Sequence, residues 1–159
     1  MGRRNLISAS CVLTLALVAA AQTARAPEES SAKPEFSPQV ADQILRALRN
    51  AILDQDSARL LRLFDRDRMP DYAEFSAGVS TVFSRYENFR VRYQILQTAE
   101  EDRSAVVELT VEATPVGNPA VSNAAPSVRH SEQIRFTFKQ TGKDWKIAEM
   151  QPRDLFGKF

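Results

Sequence analysis

Apolar residues recur at helical spacing through the first half of the chain and at strand spacing through the second. Val40, Ile44, Leu48 and Ile52 fall four apart, joined by Leu45 and Leu53, which predicts one amphipathic helix. Ser37 is placed to cap it, and Pro38 suits a first helical position, where its missing N–H costs nothing. Asp54-Gln55-Asp56-Ser57 breaks the pattern, and Asp56 or Ser57 can cap a second helix that buries Leu60, Leu61 and Phe64. After Pro70 a third stripe follows, formed by Tyr72, Phe75, Val79, Val82, Phe83 and Tyr86, with Asp71 and Glu74 at capping-box spacing.

At Asn88 the period changes to two. Phe89, Val91, Tyr93 and Ile95 alternate with Arg90, Arg92 and Gln94, the mark of a half-buried strand. Beyond the charged turn Glu100-Glu101-Asp102, a second strand alternates through Val107, Leu109 and Val111. A simple hairpin sets Tyr93 opposite Leu109 and Arg90 opposite Glu112. Residues 115–127, with three prolines and Gly117, predict a loop. A long third strand then carries Val128, His130, Glu132, Ile134, Phe136 and Phe138 on one face. Thr141-Gly142 suits a tight turn into a fourth strand, Trp145–Met150, with Phe138 opposite Trp145 and Phe136 opposite Ile147. Gln151-Pro152 ends the ladder. Three helices followed by four antiparallel strands make an α+β domain over 37–159, with the helices laid across a curved sheet.

The chain before this domain reads as an address. Arg3 and Arg4 precede an apolar stretch from Leu6 to Ala21 that ends in small residues, so 1–21 is expected to be a signal peptide cut after Ala21. The alternative, an uncleaved anchor, is poorly served by a run shorter than the roughly 20 residues that span a bilayer. Residues 22–36 are polar and hold two prolines, as a flexible tether would. Export to the periplasm or the outside is the implied destination, with membrane contact only through the leader before cleavage.

Composition narrows the chemistry. Twenty-one Lys and Arg balance twenty Asp and Glu, so no single-sign field points to nucleic acid. Cleavage removes Arg3, Arg4 and Cys11, leaving 19 basic against 20 acidic residues and no thiol. One His and one Cys argue against a zinc site, and the scattered glycines form no phosphate-binding loop. No cofactor is expected.

The order of elements resembles the nuclear transport factor 2-like superfamily, a cone-shaped α+β fold. The resemblance spans about residues 37–152. It rests on the step Leu53-Asp54-Gln55-Asp56, the helix from Tyr72 to Tyr86, and the ending Thr141-Gly142-Lys143-Asp144-Trp145-Lys146-Ile147. Similar proteins include ketosteroid isomerases, SnoaL-like polyketide cyclases and secreted bacterial members. The resemblance implies a pocket between sheet and helices and a homodimer through the sheet's outer face. It carries no catalytic dyad with it: the isomerases use a Tyr in the first helix, and Pro38–Leu53 contains none.

Strand parity suggests candidates for the pocket. Tyr93, Phe136, Trp145 and Tyr72 are expected to line it and to hold a small apolar ligand or a protein partner. Glu149, His130 and Glu132 are the candidates for proton transfer in a competing reading, a SnoaL-like lyase, isomerase or hydrolase, because a carboxylate among apolar walls can be raised toward neutrality. A bulge after Ile147 would instead turn Glu149 outward and Met150 inward. A third reading is a structural dimerisation domain of the cell envelope. The noncatalytic binding module is the preferred expectation.

Overall fold

The computed structural model describes residues 35–117, 127–153, 155, 156 and 159. The expected signal peptide, most of the tether and most of the 115–127 loop lie outside them. The order is α1 (Pro38–Leu53), α2 (Ser57–Arg62), α3 (Tyr72–Arg85), β1 (Tyr86–Ala99), β2 (Ser104–Pro115), β3 (Val128–Thr141) and β4 (Asp144–Gln151). The strands form one antiparallel sheet in sequence order, so every strand connection is between neighbours. The α+β expectation holds.

The helices begin where their caps place them. Ser37 Oγ accepts from Val40 N at 3.4 Å, and Asp56 Oδ1 accepts from Arg59 N at 2.8 Å. The buried stripe of α1 is Ala41, Ile44, Leu45, Leu48, Ala51 and Ile52, so it is rotated slightly from the one expected: Val40 and Leu53 are only half-buried. Small Ala41 and Ala51 let the helix approach its neighbours closely. Between α1 and α2 the chain reverses at Gln55, which adopts φ 51°, and its side-chain amide donates to Tyr86 O at 2.9 Å. One residue thus joins the α1–α2 turn to the start of β1. The capping box at α3 does not form. Asp71 sits at φ 57°, outside the extended geometry that lets an N-cap side chain reach back to the helix N–H groups. Its carboxylate takes Arg153 instead, at 3.1 Å.

The first hairpin has the expected register, with Arg90 opposite Glu112 and Tyr93 opposite Leu109. Two irregularities interrupt it. One contains Asn88 at φ 55°, and the other pushes Leu96 outward to 47% exposure. The last hairpin differs from expectation by two residues. Its turn is Gly142-Lys143, closed by Thr141 opposite Asp144, so Trp145 faces Gln140 and Ile147 faces Phe138. Gly142 has φ 67° and therefore occupies a central turn position rather than following one. Beyond Ile147 the register slips again, with Glu149 opposite Thr137 and Met150 opposite Phe136. Ala148 is the extra residue, and the bulge turns Met150 into the core and Glu149 away from it.

Helices and sheet share one apolar core. Leu45, Leu48, Ile52 and Leu60 from the helices meet Val107, Ile134, Phe136, Phe138, Ile147 and Met150 from the strands, all at most 1% exposed. Phe36, the last residue of the expected tether, belongs to this core: it stacks on Phe138 and tilts against Trp145, each at 5.3 Å between ring centres. The folded domain therefore starts before the Ser37 cap.

Both sheet edges are occupied. Arg49 Nε donates to Val91 O on β1 at 3.3 Å. On β4, Asp65 N donates to Ile147 O at 2.8 Å and Ile147 N to Leu63 O at 2.9 Å, so Leu63–Asp65 adds a short parallel rung. Asp65 itself is 5% exposed. Its carboxylate accepts from Thr141 Oγ1 at 2.8 Å, Asp67 N at 3.2 Å and Arg68 Nη1 at 3.1 Å, while its carbonyl accepts from Met69 N at 2.8 Å. Burial alone pushes this carboxyl up, but the Thr141 hydroxyl, the Asp67 N–H and the Arg68 guanidinium together hold it below the ordinary carboxylate range.

Two outcomes follow. A carboxyl held below its unfolded value of about 4 contributes stability that is complete above that value and is lost as pH falls through the folded one. Urea unfolding between pH 7 and pH 3 is expected to show wild type losing stability more steeply on acidification than Asp65→Asn, which itself costs about 1–3 kcal/mol at pH 7. Phe36→Ala is expected to cost about 3–5 kcal/mol in the same measurement. An unchanged midpoint would show that Phe36 is not part of the domain.

Candidate functional site

The residues expected to line a pocket beneath the helices fill that space or face elsewhere. Phe136 is 0% exposed and surrounded by core. Trp145 is half-buried against Phe36, with the Arg103 guanidinium 5.9 Å above its ring. Tyr93 gives its hydroxyl to Asp42 of α1 at 2.8 Å, and Asp42 also holds Arg46 at 2.7 Å. Burial, and then the adjoining Asp42 carboxylate, raise the Tyr93 phenol above its ordinary value. It is a bridge between helix and sheet. Tyr72, on α3, borders a shallow surface with Arg66, Ala73 and Ser76.

The candidates for proton transfer are also divided. His130 and Glu132 do come together on the inner face, with 3.5 Å between Nε2 and Oε2, opposite Val111 and Leu109. The ring of Phe159 stands edge-on to His130 at 6.3 Å. Glu149 is not with them. It lies opposite Thr137, seven residues along β3 from His130, which is roughly 23 Å at the rise of a strand. Its Oε1 accepts from Gln151 at 2.9 Å and lies 4.0 Å from Arg153. The inward Glu149 required by the proton-transfer reading is corrected by the Ala148 bulge.

A cavity of about 340 Å³ opens elsewhere, between α3 and the segment after β4. Its apolar floor is Met69, Phe75, Val82, Leu155 and Phe156, all buried. The helix supplies one wall through Glu74, Gly78, Thr81 and Val82, which share a face at spacings of three and four. A Cβ at Gly78 would meet nothing within 4 Å, so this glycine leaves the wall open at mid-helix. Pro70, Asp71 and Arg153 form the rim with Glu74, and Phe159 contributes a further ring. Aromatic contacts fix the floor: Phe75 packs on Phe64 at 4.5 Å, and Phe156 lies 6.4 Å from Phe75 and 6.2 Å from Phe83. The position of Met69 and Pro70 follows from Asp65, whose carbonyl closes the turn just before them.

Sequence reasoning missed this cavity. Leu155, Phe156 and Phe159 follow the Pro152 stop and have no strand or helix period to declare them. Gly78 was the available signal: a glycine inside an otherwise strong helical stripe costs about 1 kcal/mol relative to alanine and calls for a local reason.

Among the described residues, no group of three or more His, Cys, Asp or Glu could hold a metal ion, and no helix is long and apolar enough to cross a membrane.

No protein-family model matches the chain, and no curated protein is significantly similar to it. Solved structures are similar in fold. A conserved protein from Planctomyces limnophilus superposes with a TM-score of 0.57 at 14% identity, over 70% of this chain and 91% of that one. A ketosteroid isomerase-like protein from Erwinia carotovora atroseptica gives 0.51 at 17% identity, over 72% and 95%. The BvnE pinacolase from Penicillium brevicompactum gives 0.51 at 10% identity, over 72% and 84%. At these identities the likeness is one of architecture, and three helices followed by an open, curved four-stranded sheet give this chain the nuclear transport factor 2-like fold.

Proposed function

We propose that the protein is an exported binding module that holds a small apolar ligand in the cavity between α3 and the segment after β4, with no chemical step. The observation that carries this reading is the cavity itself. Its volume of about 340 Å³ falls in the range of small-molecule sites, its floor is apolar and its polar groups stand at the rim. Rim groups of this kind orient a ligand. Asp71 is occupied by Arg153 at 3.1 Å, and the one His–carboxylate pair, His130 with Glu132, is not among the lining residues. Export rests on the leader pattern of residues 1–21.

Nile red, a neutral apolar dye, is expected to bind saturably at one site per chain. Gly78→Leu places a side chain in the open wall and is expected to weaken binding at least tenfold, while its melting temperature stays equal or rises because a helical glycine is removed. Saturable binding that survives Gly78→Leu would place the ligand elsewhere, and absence of binding would remove the reading. Expression of the full chain in a secreting host is expected to release protein whose first residue is Gln22; retention of Met1 in the exported fraction would refute cleavage after Ala21.

A further inference from the structure

We propose that the cavity selects apolar ligands that end in a positive charge, a refinement that rests on the binding reading above. The argument is one of charge placed beside an apolar floor. Three charged side chains border the cavity: Asp71, Glu74 and Arg153. Arg153 is the only cation among them, and its charge is already engaged. Its Nη1 lies 3.1 Å from Asp71 and its Nη2 lies 4.0 Å from Glu149. Asp71 is correspondingly covered, and it also faces the positive end of α3. Glu74 is different. It stands one turn inside the helix, on the cavity wall, and among the described residues it has no hydrogen-bond or ion-pair partner.

Glu74 and Gly78 are separated by one helical turn, so they lie one above the other on the wall. The space left open by Gly78 therefore runs directly to an unengaged carboxylate. An apolar chain seated on Phe75, Val82 and Phe156 has its free end beside Glu74. An ammonium at that end gains an ion pair whose surroundings are partly apolar, where attraction is stronger than in open water. A carboxylate at the same place meets like charge, and its only cationic alternative would have to displace Asp71 and Glu149 from Arg153. A neutral hydroxyl gains neither effect. Apolar burial gives affinity and Glu74 gives the sign of the preferred head group.

The test compares three probes with one apolar tail: octylammonium, octanol and octanoate. Titration calorimetry at low salt and pH 7 is expected to rank them in that order, with octylammonium about fivefold tighter than octanol, the scale of one rim ion pair. Glu74→Gln is expected to abolish the advantage of octylammonium while leaving octanol binding unchanged, which a general loss of structure would not do. Gly78→Leu is expected to weaken all three. Octanoate binding as tightly as octylammonium, or an octylammonium preference that survives Glu74→Gln, overturns this inference and leaves the binding reading standing. No binding of any of the three overturns both.

Discussion

A carboxylate with almost no access to water decides where the cavity of this protein lies. Asp65 accepts from the Thr141 hydroxyl, the Asp67 N–H and the Arg68 guanidinium, and its backbone joins the edge of β4 at Ile147. Those bonds tie the α2–α3 connection to the β3–β4 hairpin, two parts of the chain 76 residues apart. The connection then delivers Met69, Pro70 and Asp71 directly to one end of α3. A buried carboxylate is costly unless it is fully bonded, so this arrangement admits little slack. The cavity wall inherits that rigidity.

The fold closes the place where the superfamily resemblance implies a pocket and leaves space on the other side of α3. Phe36, Phe64, Phe136 and Phe138 fill the interval between helices and sheet with aromatic volume, at native packing. The segment holding Leu155, Phe156 and Phe159 then packs on α3 and on the inner ends of β1 and β3, through Phe83, Tyr86 and His130. This second packing is looser because α3 presents Gly78 to it where a larger residue would complete the contact. The apolar floor, the open wall and the charged rim follow from the same geometry. Thus a scaffold shared with an isomerase-like protein and a pinacolase carries its space at a different address, which is why architecture alone does not transfer a function.

Local pattern was a good guide to elements and a weaker one to the site. Ser37, Pro38 and Asp56 mark helix starts by chemistry that acts within three residues, and such signals survive any tertiary context. The Tyr93–Leu109 register was legible for a similar reason, since inward and outward positions alternate on both strands. Asp71 misled because its spacing to Glu74 fits a cap, whereas Arg153, 82 residues away, takes its carboxylate. Glu149 misled because alternation was continued through Ala148, where one extra residue reverses the parity of everything after it. Asp65 gave no signal, because nothing in Asp65-Arg66-Asp67-Arg68 distinguishes a buried anchor from an ordinary charged turn.

By itself the sequence determined the α+β order, the capped starts of α1 and α2, the first hairpin's register and the inward face of β3, all of which depend on neighbours within a helical turn or a strand pair. The tertiary structure alone decided that Phe36 joins the core, that Glu149 turns away from it, that Asp65 is buried, and that Leu155 and Phe156 line a cavity opposite Gly78. Each of those depends on contacts between residues far apart in the chain, where burial and partner choice are set by which surfaces meet and not by the period along either one.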